Sequence, residues 1–272
     1  MESKIRKRIF NSIKILIVVY CLGGIALWQL QDKILLHPKK LNVGYVFNIA
    51  VPHKEILLQL NEKERLHFMQ FFPADTNHVK GIVLYFHGNR ENINRYAAYA
   101  NNFTKHGYEV WMPDYPGFGK TTGEFTEERL YSDARLIYKM AAKRFTADSL
   151  ILYGRSLGTG VATELASEHN CKRLILETPY YSFPSMAATH FPIYPTSHMM
   201  HFKFPVYEFL PLVKAPVSMF HGTDDEVIPY RNSIRLKALL KETDEYISIE
   251  KGRHNNLGNF DLFYQKLDSL LK

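Results

Sequence analysis

The chain has 272 residues, 46% of them hydrophobic and 14% aromatic, which is enough for one α/β domain with a large core and an N-terminal extension. The net charge is +7, but the first fourteen residues hold five basic side chains against one acidic side chain. Because the excess charge is concentrated there, it predicts a membrane-proximal flank and argues against a nucleic-acid-binding protein.

The N-terminal segment is predicted to anchor the chain in a membrane. Residues 15–30 are almost wholly apolar, but as a helix they would reach only about 24 Å, short of the roughly 30 Å of a bilayer core. A helix that begins at Ile9, with Lys14 reaching toward the headgroups, makes a span possible. The dense basic cluster favours an N-inside, single-pass signal anchor with the remaining chain on the extracytoplasmic side. A cleaved signal peptide is the alternative, with a weak cleavage site at residues 24–26.

Three regions follow from this pattern: an anchor at residues 1–30, a connector at 31–52 and one domain at 53–272. Within the domain, strands are predicted at residues 55–60, 65–72, 80–86, 109–112, 150–153, 173–177, 217–221 and 245–249, and helices at 93–106, 126–145, 157–168, 230–240 and 259–271. The first two strands form an antiparallel hairpin at a sheet edge. The remaining strands are apolar without alternation and are separated by helices, which predicts a mostly parallel α/β sheet covered on both faces.

Residues 178–216 interrupt the alternation of strands and helices. The segment is rich in proline, aromatic residues and methionine, and it is too long for a simple loop. We interpret it as a small lid that offers an adaptable apolar surface to a ligand. An insertion that never contacts substrate is the alternative.

A short motif, Gly154-Arg155-Ser156-Leu157-Gly158, lies between a predicted strand and a predicted helix. Strand, tight turn and helix with a central serine are typical of a nucleophile elbow, which projects the serine hydroxyl above the sheet edge. The residues two before and two after the serine must be small, and both are glycine. The helix N-terminus beneath the serine favours negative charge there.

A serine hydroxyl needs a base to take its proton and an acid to orient that base. The predicted base is His254, in a loop after the last strand. The acid candidates Asp224, Asp225 and Glu226 follow the strand at 217–221. Asp225 is preferred because Asp224 is suited to shaping the turn itself. Glu177, at the end of another strand, remains an outside candidate.

Two backbone amides are predicted to form an oxyanion hole. One is the amide of Leu157, directly after the serine. The other is the amide of Asn89, in the loop after the strand at 80–86, where Gly88 allows a tight turn. Arg155 could steer an anionic substrate, or form a surface salt bridge.

Together these motifs resemble the α/β-hydrolases over almost all of residues 55–271. The matching stretches, in order, are His87-Gly88-Asn89, Asp114-Tyr115-Pro116-Gly117-Phe118-Gly119, the serine motif, residues 221–229 and Gly252-Arg253-His254. The chain is most similar to a membrane-anchored, serine aminopeptidase-like branch, whose eukaryotic relatives include protein depalmitoylating thioesterases. The resemblance implies Ser156 as nucleophile, Asp225 as acid and His254 as base.

The sequence thus predicts a serine hydrolase of ester or thioester bonds that needs no cofactor or metal. A peptidase for small apolar N-termini is the enzymatic alternative, although no carboxylate cluster for the substrate amine can be placed. A non-catalytic binding protein on the same scaffold is the other alternative, which a complete Ser-His-Asp set disfavours. The lid histidines His190, His198 and His201 lack the short spacing of metal ligands and are interpreted as surface residues. Removal of the residues before Gln31 is expected to leave a soluble, active protein.

Overall fold

The computed structural model describes residues 2–272, and its side chains are described from Lys4 onward. Within that range the strands are β1 (His37–Pro38), β2 (His53–Gln59), β3 (Arg65–Phe71), β4 (Gly81–Phe86), β5 (Arg90–Glu91), β6 (Tyr108–Pro113), β7 (Leu150–Arg155), β8 (Arg173–Glu177), β9 (Val217–Gly222) and β10 (Glu245–Ile249). Eight of them form one sheet in the order β10-β9-β8-β7-β4-β6-β3-β2. Neighbours from β10 to β6 are parallel, whereas β3 and β2 are antiparallel at the edge.

Helices cover the sheet and extend beyond it. They are α1 (Glu2–Leu35), α2 (Ile93–Tyr96), α3 (Asn101–Thr104), α4 (Glu127–Ala141), α5 (Leu157–Glu168), α6 (Phe183–His190), α7 (Thr196–Met199), α8 (Val206–Phe209), α9 (Tyr230–Ser233) and α10 (Asp261–Leu270). Short 3₁₀ turns continue α2 at Ala97–Ala100 and α9 at Ile234–Leu239. The predicted α/β class, the mostly parallel sheet and the antiparallel edge hairpin are confirmed.

Two segments that were predicted to be continuous α-helices are interrupted by 3₁₀ turns. The helix expected at 93–106 is split into α2, a 3₁₀ turn and α3, and the one expected at 230–240 is a single α turn followed by a 3₁₀ turn. Short 3₁₀ pieces are common in such connecting segments.

Helix α1 continues past residue 30, where the anchor was predicted to end, and stops at Leu35. The added residues, 31–35, hold good helix formers, and the stop comes just before His37, whose place before Pro38 disfavours helical backbone. From Lys4 to Leu35 the helix is long and apolar enough to cross a membrane by length and composition.

The sheet is buried on both faces. In β4, Ile82, Leu84 and Phe86 belong to one core cluster, whereas Val83 and Tyr85 belong to the other, as the two-residue period of a strand requires. All of these side chains are almost fully buried. Since both faces are occupied, ligand chemistry is left to the carboxyl ends of the parallel strands.

Candidate active site

The turn between β7 and α5 holds Ser156 in a backbone conformation that few non-glycine residues adopt. Its φ is +51° and its ψ is −117°, so the peptide reverses within one residue. The flanking glycines make that possible. A Cβ added at Gly154 would lie 2.5 Å from the Gly158 carbonyl oxygen, and one added at Gly158 would collide with the Phe86 carbonyl at the end of β4. The elbow therefore packs directly on backbone.

Three side chains from separate loops meet at this turn. The Ser156 hydroxyl lies 3.0 Å from Nε2 of His254, in the loop after β10. Nδ1 of the same imidazole lies 2.8 Å from Oδ2 of Asp225, in the loop after β9. The carboxylate can only accept, so it assigns the proton to Nδ1 and leaves Nε2 free to accept the serine proton. All three residues are buried.

The Asp225 carboxylate is held by its own loop. Its Oδ1 accepts hydrogen bonds from the backbone amides of Val227 (2.9 Å) and Ile228 (2.8 Å), which leaves Oδ2 for His254. Beneath it, His221 donates from Nε2 to the Ile228 carbonyl at 2.9 Å. Burial lowers the pKa of His221 below its ordinary value. A neutral His221 therefore supports this loop and does not compete with His254 as a positively charged partner of Asp225.

The other acid candidates lie elsewhere. Asp224 and Glu226 are exposed. Glu177 is buried, but it accepts the Tyr153 hydroxyl at 2.5 Å and pairs with Arg155 Nε at 3.3 Å. Arg155 therefore forms the predicted salt bridge, but in the interior and not at the surface. It does not line the cavity at Ser156, so the structure does not support a role in steering substrate there. Its guanidinium lies over the Tyr99 ring, 4.4 Å from the centroid.

The loop after β4 brings Asn89 beside the serine. Both Asn89 and Leu157 line the cavity that contains Ser156. Among the described residues, neither backbone N–H donates to another protein group. Gly88 sits close enough that an added Cβ would lie 3.7 Å from the Ser156 Cβ. Two free amides next to one hydroxyl are what an oxyanion hole requires.

A cavity of about 350 Å³ opens above Ser156, within the usual range of ligand pockets. It lies between α1, the segment 178–216 and the loops at the sheet edge. The lining is mostly apolar and comprises Leu27, Trp28, Gln31, Ile34, Leu35, Asn89, Ser156, Leu157, Tyr180, Phe183, Met186, Ala187, His190, Phe191, Tyr194, Thr196, Met199, Met200, Val227 and Ile228.

Comparison with known proteins matches this architecture. Residues 77–204 match the model of a hydrolase family described as serine aminopeptidase, S33. Among solved structures, the Pyrococcus furiosus esterase Pf2001 superposes with a TM-score of 0.68 at 15% identity, over 87% of this chain and 97% of that one. Est1E from Butyrivibrio proteoclasticus gives a TM-score of 0.65 at 15% identity, over 80% and 97%. The chain has the fold of the α/β-hydrolases and resembles that superfamily in sequence.

Relatives by sequence carry the same domain description. The α/β-hydrolase domain-containing protein aho-3 of Caenorhabditis elegans is 26% identical over 234 residues, covering 82% of this chain and 69% of the relative. The α/β-hydrolase domain-containing protein 17C of Xenopus tropicalis is 29% identical over 196 residues, covering 69% of this chain and 59% of the relative. This hydrolase therefore matches less than two thirds of the Xenopus protein.

A buried carboxylate, which the sequence analysis did not predict, supports the loop that contains Asn89. Asp114, at the end of β6, accepts from the Ile93 amide at 2.9 Å through Oδ1 and from His67 Nδ1 at 2.9 Å through Oδ2. His87, which precedes Gly88, lies 3.4 Å from the same carboxylate. The sequence did contain a signal for this support. Asp114 directly follows a buried strand and begins one of the stretches that resemble the α/β-hydrolases.

The three histidines of the segment 178–216 contact different partners. His190 contacts the Val227 carbonyl, His198 contacts Ser197 and His201 contacts Asp32. Within the part of the chain that the structure describes, no group of three or more His, Cys, Asp or Glu side chains is arranged to hold a metal ion.

Replacement of Asp114 by asparagine is expected to destabilise the fold by about 1–3 kcal/mol at neutral pH, because a buried donor or acceptor loses its partner. Burial would raise the pKa of Asp114, but His67 and His87 hold it below its ordinary value. The stabilisation is therefore present above about pH 4, the unfolded pKa, and is lost as the pH falls through the lower folded pKa. Urea denaturation of both proteins across this pH range measures the difference.

The exposed Asp148→Asn serves as the control and should unfold like the wild type at each pH. A difference between Asp114→Asn and wild type that stays constant down to the lowest pH would contradict the role assigned to the ionised carboxylate.

Proposed function

We propose that this α/β-hydrolase cleaves ester or thioester bonds of lipophilic acyl substrates through an acyl-enzyme on Ser156. The observation that carries the proposal is the continuous hydrogen-bonded chain from Ser156 through His254 to Asp225, at 3.0 and 2.8 Å, beneath an apolar cavity. The esterase named among the similar structures supports the same class of reaction.

The chemistry follows from these contacts. Nε2 of His254 takes the Ser156 proton as Oγ attacks the substrate carbonyl, and the imidazolium is stabilised by Asp225. The tetrahedral oxyanion accepts hydrogen bonds from the amides of Asn89 and Leu157. His254 then gives its proton to the leaving alcohol or thiol, which departs as the acyl-enzyme forms. A water molecule, deprotonated by His254, then attacks the carbonyl of the acyl-enzyme. The bond to Ser156 Oγ breaks, the acid is released, and His254 returns the proton to Oγ.

The lining of the cavity favours an acyl substrate over a peptide N-terminus. No residue that lines it, among those described, carries a carboxylate. A buried substrate ammonium without a counter-charge would be strongly disfavoured. Methionines and aromatic rings from the segment 178–216, by contrast, suit a flexible hydrocarbon chain, which supports the interpretation of that segment as a lid.

We further propose that α1 anchors the enzyme in a membrane and is not cleaved. Its length, its composition and the basic residues that precede the apolar run support this assignment. An N-inside orientation would place the hydrolase domain on the extracytoplasmic side.

The first test uses a fluorophosphonate probe, which reacts with activated serines. The wild-type protein should be labelled, whereas Ser156→Ala should not. His254→Ala should reduce both labelling and p-nitrophenyl ester hydrolysis by at least about 10³-fold, because the hydroxyl loses its base. Circular dichroism checks that each variant is folded. Equal labelling of wild type and Ser156→Ala would overturn the assignment, and a folded wild type that is neither labelled nor active would favour a binding protein.

The second test concerns the acid. Asp225→Asn should lower kcat by about 10²–10⁴-fold, because the amide favours the wrong imidazole tautomer. Asp224→Asn, its exposed neighbour, is the matched control and should keep wild-type kcat within about twofold. Full activity in Asp225→Asn together with loss of activity in Glu177→Gln would show that the acid is assigned to the wrong residue.

The third test concerns the membrane. After alkaline carbonate extraction, the full chain should stay in the membrane pellet, and a truncation that lacks residues 1–30 should move to the supernatant. An intact mass for the membrane-bound protein distinguishes an anchor from a cleaved signal peptide. A truncation that remains in the pellet would contradict α1 as the sole attachment.

A further inference from the structure

One face of α1 packs against the segment 178–216. Tyr20, Gly23, Gly24, Leu27 and Gln31 recur at helical spacing along this face. Tyr20 stacks on Tyr194 with ring centroids 4.8 Å apart. The glycines allow the close approach, since a Cβ added at Gly23 would collide with the Tyr194 hydroxyl. A helix that only crossed a membrane would need no such complementary face.

Polar contacts set the rotation and height of α1. Gln31 is buried, and its amide uses both ends: Nε2 donates to the Met199 carbonyl at 3.1 Å, and Oε1 accepts from the His201 amide at 2.7 Å. Tyr20 and Tyr194 each donate a hydroxyl hydrogen bond across the same interface, at 3.1 and 3.2 Å. Because Gln31 is buried, a shift of α1 would leave its amide without partners, so the two Gln31 bonds specify one arrangement of the helix.

The end of α1 is tied to the loop that contains Asn89. The Asn89 side-chain amide donates to the Leu35 carbonyl, and the His37 amide donates to the Asn89 carbonyl at 3.0 Å. Directly beyond, β1 pairs with β5. The helix is thus attached at both the cavity rim and the proposed oxyanion hole.

Between these attachments, α1 lines the cavity at Ser156. Leu27, Ile34 and Leu35 face it from the helix, and Phe183, Met186 and Met199 face it from the segment 178–216. Ile193, beside the Tyr194 contact, is an exposed apolar residue. Because Tyr20 and Leu27 lie in the apolar run of α1, a membrane that holds the run also borders this side of the cavity.

We propose that α1 is a wall of the acyl site, so that Leu27, Ile34 and Leu35 contact the acyl tail and set the chain-length preference. The tail enters from the bilayer side while the carbonyl meets Ser156. This inference rests on the proposed function for its kinetic readout. It also changes the expectation for a truncation before Gln31, which removes Leu27 and should lose selectivity for long chains.

The test compares the full-length protein in nanodiscs with two variants, Leu27→Trp and Leu22→Trp. Both place an indole on α1, but Leu22 is exposed and does not line the cavity, so it is the matched control. The measured quantity is the ratio of kcat/KM for p-nitrophenyl dodecanoate to that for p-nitrophenyl acetate. Leu27→Trp should lower this ratio at least tenfold, about the effect of excluding roughly two methylenes, and Leu22→Trp should keep it within about twofold. An unchanged ratio in Leu27→Trp, or an equal fall in both variants, overturns the proposal.

A second readout does not need catalysis. Palmitate that carries a photoreactive diazirine on its tail is crosslinked to the Ser156→Ala variant, and tryptic peptides are analysed. Adducts are expected on residues 15–33, the peptide between Lys14 and Lys33, and should disappear when Leu27→Trp is added but not when Leu22→Trp is added. Crosslinking that is confined to other peptides would contradict the assignment of α1 as a wall of the acyl site. If the wild type fails with fluorophosphonate and esters but crosslinks as expected, the proposed function falls and the assignment of the wall stands.

Discussion

The site of this hydrolase depends on one sharp turn, where β7 passes into α5 at Ser156. The positive φ of that serine is a strained conformation for a residue with a side chain. It persists because β7 is buried between β4 and β8 and because α5 packs back on the sheet. Gly158 brings α5 against the backbone at the end of β4, so the turn also determines where the loop through Asn89 must lie.

Around the turn, three buried carboxylates are each paired locally and do not share partners. Asp225 binds its own loop amides and His254, Asp114 binds the Ile93 amide and His67, and Glu177 binds Tyr153 and Arg155. A buried charge without a partner costs free energy, so each carboxylate restricts the positions of the groups that bind it. This segregation leaves a single carboxylate against His254 and keeps the Arg155 charge away from the cavity at Ser156.

In the proposed function, α1 links attachment to the membrane with the hydrolysis at Ser156. An anchor needs only length and apolar composition, yet this helix also carries a buried amide at Gln31 and close-packed glycines opposite Tyr194. One wall of the cavity at Ser156 is therefore a helix that is apolar enough to lie in a bilayer, and the opposite wall is the edge of the sheet. Under the proposed function, this arrangement favours substrates that partition into lipid.

The sequence by itself determined the class of fold, the antiparallel edge and the elbow, because these follow from local periodicity and from small residues beside one serine. It also placed Asp225 and His254 after the carboxyl ends of strands, which a parallel sheet brings to one edge. Only the tertiary structure decided that Asp225 rather than Glu177 faces His254, that Asp114 supports the Asn89 loop and that α1 runs to Leu35 with one face on the segment 178–216. Those features depend on contacts between elements far apart in the chain, which no local pattern encodes.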